Sequence, residues 1–170
     1  DKHGIVWLAS EAGLIRYTPS KGHFEVIQSK PVLLVTAIGD NLYYVLDNQL
    51  FQLPNTNIDP SNTKTALNNS STAPKAQSLP FPDEQIVQLH TDHSKRLWVL
   101  TTSHLYQVNA GMNNLRIALP AQSGSESSMI YHSESSIWLV SDANKLFVLD
   151  QTTASPQQWK YIYRFPDSTQ

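Results

Sequence analysis

Apolar positions along this chain gather into short strand-length runs separated by small polar turns, and the runs come back in the same order. Residues 92–108, DHSKRLWVLTTSHLYQV, give a polar turn, an apolar strand with a tryptophan, a second short turn and another apolar strand. Stacking IVWLASEAGLIRY (residues 5–17), NLYYVLDNQLFQL (41–53), RLWVLTTSHLYQV (96–108) and SIWLVSDANKLFVL (136–149) aligns Trp7, Tyr43, Trp98 and Trp138. Seven residues further on stand Leu14, Leu50 and Leu105, while the fourth copy needs one extra turn residue to reach Leu146. The aromatics are 43 − 7 = 36, 98 − 43 = 55 and 138 − 98 = 40 residues apart, a repeat of about 40 with one insertion in the second copy.

Each hairpin also has outer companions. VLLVTAI, QIVQLH and SMIYH precede copies two to four, and HFEVI, NLRIAL and WKYIYRF follow copies one, three and four, which predicts four strands per repeat. The second strands IVWLA, LYYVL, LWVL and IWLV are apolar at successive positions, the pattern of a strand covered on both faces. Polar turns are expected at Ala12-Gly13, Asp40-Asn41 and Asp47-Asn48. Little helical periodicity interrupts them. The prediction is an all-β fold, a β-propeller segment of about four four-stranded antiparallel blades over residues 1–30, 31–80, 81–120 and 121–165. Trp7, Trp98 and Trp138 are then expected as buried equivalents between blades.

Composition narrows the function classes. The 170 residues are 40% hydrophobic, enough for one domain with a core, and the formal charge of −2 offers no basic footprint for nucleic acid or an anionic membrane. Charged residues make up only 15%, so Ser, Thr, Asn and Gln supply the polar surface. The absence of cysteine excludes disulfides, thiolate nucleophiles and cysteine-ligated metals. The longest aliphatic run, VLLV at residues 32–35, is far below the roughly 18 residues of a membrane span, and the N-terminus has no signal-peptide pattern.

Two copies carry a fuller motif. D-x-x-G-x-x-W-L-A-S-x-x-G-L-x-R-Y (residues 1–17) and H-T-D-H-S-K-R-L-W-V-L-T-T-S-H-L-Y (90–106) resemble the two-component-regulator propeller repeat of bacterial periplasmic sensor regions, found in histidine kinases and diguanylate cyclases. Asp1 and Asp92, the turn, the Trp and the following Leu carry the resemblance. Copy two has Tyr43 for Trp and Ala37 for Asp, copy four has His132 at the Asp position, and Gly13 is replaced by Gln49, His104 and Asn144 in the later copies. The chain opens at a turn without the first strand of its own blade and ends at YRFPDSTQ, similar to the FPDEQ that begins the third unit. The expected assembly is thus part of a larger propeller, with a first strand supplied by another chain as the alternative. The resemblance implies a non-enzymatic extracytoplasmic sensory or ligand-recognition role in a bacterial signalling receptor, periplasmic, homodimeric within the full-length receptor and without cofactor. Its catalytic output domain would lie outside this chain. Propellers host unrelated activities, so a carbohydrate-active lyase or glycosidase and a protein-interaction scaffold are the alternatives.

Propeller topology places the turn between strands two and three, and the link into the next blade, on one face. Glu11, Asp47, His104 and Asn144 come from those turns, and Lys30, Asp83, Glu84 and Glu126 from the links. All of these except Lys30 are taken as candidate ligand-binding residues. The polar insertion at residues 56–74 falls on the opposite face, reads as a linker, and carries sequons at Asn68 and Asn69 that matter only in a eukaryotic secretory setting. His90 and His93 span a strand end with their rings expected to point apart, so no metal site is assigned. Ser61 and Lys64 have S-x-x-K spacing inside the insertion, where a rigid catalytic pocket is not expected. No catalytic residues are named. In WKYIYRF the residues Trp159, Tyr161, Tyr163 and Phe165 alternate, as one face of an outer strand, and form a candidate partner interface.

Overall fold

The computed structural model describes residues 4–54, 77–79, 83–108, 115–120, 129–133, 135–141, 144–150 and 158–166. The insertion at 56–74, Asp1 and Glu126 lie outside them. The chain divides into two compact units, Asp1–Pro82 and Asp83–Gln170. In the first, β1 (Val6–Ser10), β2 (Gly13–Thr18) and β3 (His23–Gln28) form a three-stranded sheet. It is followed by a four-stranded sheet of β4 (Leu34–Ile38), β5 (Asn41–Leu46), β6 (Gln49–Pro54) and β7 (Gln77–Ser78). The second unit holds two four-stranded sheets, β8 (Ile86–Thr91), β9 (Leu97–Thr101), β10 (His104–Val108), β11 (Leu115–Ala118), then β12 (Met129–His132), β13 (Ser136–Val140), β14 (Lys145–Asp150), β15 (Trp159–Arg164). Every pairing is antiparallel between chain neighbours, the meander of a propeller blade.

Register reproduces the repeat. The residue two beyond each aromatic pairs with the repeated leucine, as Ala9↔Leu14, Val45↔Leu50, Leu100↔Leu105 and Val140↔Leu146, and the last pair spans the one extra turn residue. Asp47 and Asn48, at φ 49° and 59°, form a two-residue loop closed by Leu46↔Gln49, the type I′ geometry that matches strand twist. The other hairpin of this sheet turns at Gly39-Asp40, one residue before the expected Asp40-Asn41, because Ile38 pairs with Asn41 and Gly39 accepts φ 57° without a Cβ penalty.

Two cores form, one in each unit between its two sheets. The first gathers Leu14, Val32, Leu42, Tyr44, Leu46 and Leu53, with Trp7 and Ala9 packed against it; the second joins Trp98, Leu100, Leu105 and Ile117 to Ile130, Ile137, Leu139, Phe147 and Leu149. In both units the tryptophan of the leading sheet faces the following sheet. Side chains alternate along a strand, so Tyr43 and Trp138, one residue from Leu42, Tyr44, Ile137 and Leu139, stand on the face turned away from their own core. This sorts the expected equivalence of Trp7, Trp98 and Trp138. All three occupy the same strand and register, but only Trp98 is fully enclosed, while Trp7 and Trp138 are half-buried. Likewise β9 is buried at all five positions, whereas in β1 Val6 and Leu8 point away from the core and are exposed. Polar ties reinforce each pair of sheets. Gln88 binds the backbone of Ile130 through both amide atoms, Trp159 Nε1 donates to Ala118 O at 3.0 Å, and Val32 N donates to Ser10 O at 2.9 Å.

Candidate functional site

Glu84 lies in the link that enters β8, and the β9–β10 hairpin turns beside it. Thr101 closes β9, Ser103 sits in the turn, and His104 opens β10, so all three reach the same carboxylate. Thr101 Oγ1 and Ser103 Oγ donate to Glu84 Oε2 at 2.6 and 2.8 Å, and the Tyr106 hydroxyl donates to Oε1 at 2.9 Å. His104 Nδ1 is 3.1 Å from Oε2 and 3.0 Å from Oε1. Strand alternation puts His104 and Tyr106 on one side of β10, and the Tyr106↔Arg116 pairing brings in β11. Arg116 Nη2 lies 3.4 Å from Glu84 Oε1 and 3.3 Å from His104 Nδ1, with the guanidinium carbon 6.0 Å from the Tyr106 ring centroid.

The electrostatics follow from this convergence. Burial by itself would raise the Glu84 carboxyl, but donors from Thr101, Ser103, Tyr106 and His104 hold it down to about 2. The Tyr106 phenol is pushed up to about 12 by burial and by its bond to Glu84. Glu84 is therefore an anion throughout the neutral range and takes the Nδ1–H of His104, and when the ring is neutral Nε2 is its acceptor. A carboxylate so thoroughly bonded orients other groups and does not shuttle protons. Ser103 meets the imidazole at Nδ1, on the acid's side (3.0 Å), so the nucleophile–base–acid order of a serine hydrolase is not built here.

Of the residues singled out from sequence, the structure brings His104 and Glu84 together. Asp83 adjoins Glu84 without joining the cluster, and the other described candidates lie in other turns. Asp47 pairs with Lys30 at 2.8 Å, both well exposed, and that bond raises the Lys30 amine. Glu11 and Asp83 are exposed, and Asn144 takes φ 55° with its N–H on Ser141 O at 3.1 Å, a turn-forming role. Thr101, Ser103, Tyr106 and Arg116 escaped the sequence reading. His104 and Tyr106 share alternation, a signal that was available, but nothing local announces that Glu84 and Arg116 fold onto them.

The outer strand departs from a single aromatic face. A register shift opposite Leu146/Phe147 sets Trp159↔Leu149 and Tyr161↔Phe147 on one face and Tyr163↔Leu146 on the other. Tyr161 meets Phe147 edge-on at 5.8 Å and Tyr163 meets Phe165 at 5.4 Å. Trp159 packs on the core, whereas Tyr161, Tyr163 and Phe165 remain substantially exposed. Burial lowers the His90 imidazole, Asp92 opposes this and His93 adds to it; no three His, Asp or Glu side chains form a metal site among the described residues.

No protein-family model matches the chain, and no curated protein matches it. Solved structures do. The extracellular domain of a B. thetaiotaomicron protein assigned to the one-component systems is 14% identical, with a TM-score of 0.67, over 96% of this chain and 23% of that one. A second extracellular domain from the same organism, assigned to the hybrid two-component systems, is 15% identical with a TM-score of 0.64, over 96% and 20%. The chain is a segment of a β-propeller. A catalytically inactive histidine-to-alanine variant of virginiamycin B lyase from Staphylococcus aureus, with quinupristin, shares that fold at 12% identity and TM-score 0.66, over 97% and 53%. This segment thus spans about a quarter or less of the two regulator domains and about half of the lyase. Among the described residues no helix is long and apolar enough to cross a membrane.

Proposed function

We propose that this propeller segment is the non-enzymatic recognition part of an extracytoplasmic bacterial receptor, periplasmic and homodimeric in its full-length form, whose output domain lies elsewhere in the protein. The observation that carries the proposal is the four-sheet repeat shared with extracellular domains of one-component and hybrid two-component regulators. The Glu84 cluster supports it, because its acid is spent on fixing neighbours and leaves an oriented, polar patch suited to binding. Ligand binding there would shift the population of receptor arrangements and so bias the output.

The test uses the full-length receptor in cells with a reporter of its output. His104→Ala and Arg116→Ala should alter the response at unchanged protein level. Unchanged output in both, with lost output in Tyr163→Ala, would move the functional surface to the outer strand and favour a protein-interaction scaffold. An enzyme is the second reading, favoured by the likeness to a lyase and by an imidazole, His104, whose Nδ1 is held by a carboxylate. Conversion of quinupristin by the purified protein, followed chromatographically and lost in His104→Ala, would establish it.

A further inference from the structure

Within the Glu84 cluster, two groups keep binding capacity that the fold does not use. Among the described residues Arg116 is anchored through Nη2 on Glu84 Oε1 at 3.4 Å and by its position over the Tyr106 ring. Its Nε and Nη1 donors make no hydrogen bond among the described residues, and the side chain is 57% exposed. His104 Nε2 likewise has no hydrogen-bond partner among the described residues and is not among the atoms sealed from water. A cation and a ring nitrogen oriented by Glu84 therefore belong to one cluster. An exposed guanidinium donates to a carboxylate, and the lone pair of a neutral imidazole takes a hydroxyl proton. Glu84 beneath them cancels one positive charge, which disfavours multiply charged anions such as phosphate monoesters and suits a monoanion.

We propose that His104 and Arg116 bind a small hydroxycarboxylate, with its carboxylate on the Arg116 guanidinium and its hydroxyl donating to His104 Nε2. The proposal rests on the recognition reading above and names the ligand chemistry of that surface. Thr101, Ser103 and Tyr106 act as positioning residues, since they hold Glu84 and through it the imidazole.

Glycolate is the smallest probe with both features. Titrated into purified protein labelled at its histidines, it should move the His104 ring nitrogen signals saturably, with a Kd of roughly millimolar size for so few contacts. Acetate, without the hydroxyl, and glycolamide, without the charge, should each bind several-fold more weakly. Arg116→Gln should weaken glycolate about tenfold, and Arg116→Lys, which keeps charge without the planar fork, should recover only part of the loss. Unshifted His90 and His93 signals report that the variants remain folded. No saturable shift with glycolate, or equal affinity in Arg116→Gln, would overturn the proposal. Equal affinity for acetate and glycolate would overturn the role of His104. Glycolate binding without any Arg116-dependent receptor output leaves the site standing and removes the receptor reading; Arg116-dependent output without glycolate binding does the reverse.

Discussion

The carboxylate of Asp92 accepts the indole N–H of Trp98 at 2.9 Å, joining the turn before β9 to the side chain at the centre of its unit's core. The same carboxylate takes Arg96 N at 2.8 Å and Arg96 Nε at 2.5 Å, and Asp92 O accepts Lys95 N at 2.9 Å. Burial would raise this acid, but Trp98 and Arg96 together hold it below the ordinary carboxylate range. The aspartate of the repeat is thus a turn-builder and tryptophan anchor. Asp92→Ala should cost about 3 kcal/mol, because it strips a buried indole donor and a half-exposed guanidinium of a shared charged acceptor. Urea unfolding of Asp92→Ala, Trp98→Phe and the double variant should show a coupling of about 1–2 kcal/mol; additive losses would mean the two residues act independently.

The first copy extends this logic to positions the sequence alone links. Among the described residues Trp7 Nε1 is buried without a partner, as are Nε and Nη1 of Arg16, although Arg16 Nη2 engages Glu25. Trp7, Arg16 and Glu25 lie in cross-strand register on one face of the sheet. Asp1 precedes Trp7 by six residues, as Asp92 precedes Trp98. A buried indole donor without an acceptor weakens the fold, and Asp92 supplies that acceptor to Trp98. Trp7→Phe, which removes this unmet donor and keeps an aromatic ring, should therefore cost less than Trp98→Phe in urea unfolding, and equal losses would mean that Trp7 Nε1 is satisfied in solution.

The fold was legible because its signal is periodic and global. The spacing of Trp7, Tyr43, Trp98 and Trp138 and the runs around them fixed strand number, strand order and even the extra residue before Leu146. Burial was legible only in part, since the same tryptophan position is enclosed or half-open according to which face meets a neighbouring sheet, a property of packing and not of the motif. Of the site, Glu84 and His104 could be placed on one face by topology, but mixed with Glu11, Asp47 and Asn144, which lie in other turns, and with Asp83, the exposed neighbour of Glu84. What made the pair a cluster, the convergence of Thr101, Ser103, Tyr106 and Arg116, depends on tertiary contact up to 32 residues away in sequence.

The depressed Glu84 carboxyl makes stability depend on acid in a definite direction. Its folded value of about 2 lies below the ordinary 4.5, so between those values the unfolded chain carries the proton and the folded chain does not. Unfolding then takes up a proton. The contribution is fully present above pH 4.5 and is lost as pH falls towards 2. Thermal melts across this window should fall more steeply for the unaltered protein than for Glu84→Gln, and parallel curves would show that Glu84 is not so held.

Two turn positions should respond in opposite senses. Gly13 has φ 120°, and a Cβ there would sit 1.8 Å from Gln28 O, so Gly13→Ala should cost about 3 kcal/mol or more. Lys95 holds φ 59° at the place where the first copy has Gly4 with φ 71°. Lys95→Gly should add about 0.5–1 kcal/mol, as left-handed strain is relieved faster than chain entropy is gained. Denaturant midpoints of the two variants on either side of the parent would bear this out; a loss in Lys95→Gly would mean its side chain contributes more than its backbone costs.

The outer strand β15 offers the sharpest separation of packing from surface. Trp159 lies against the core and donates to Ala118 O, while the register shift turns Tyr163 to the opposite face, beside Phe165, where it is 51% exposed. A side chain on the core loses its packing and its bond when truncated, but an exposed ring loses little. Trp159→Ala should thus destabilise by about 2–4 kcal/mol and Tyr163→Ala by no more than about 0.5 kcal/mol. Equal losses in urea unfolding would mean that the aromatics form one packed stripe, as plain alternation along WKYIYRF predicts, and that the bulge does not divide them. Unequal losses leave Tyr163 and Phe165 as the portion of the strand able to meet a partner without cost to the fold.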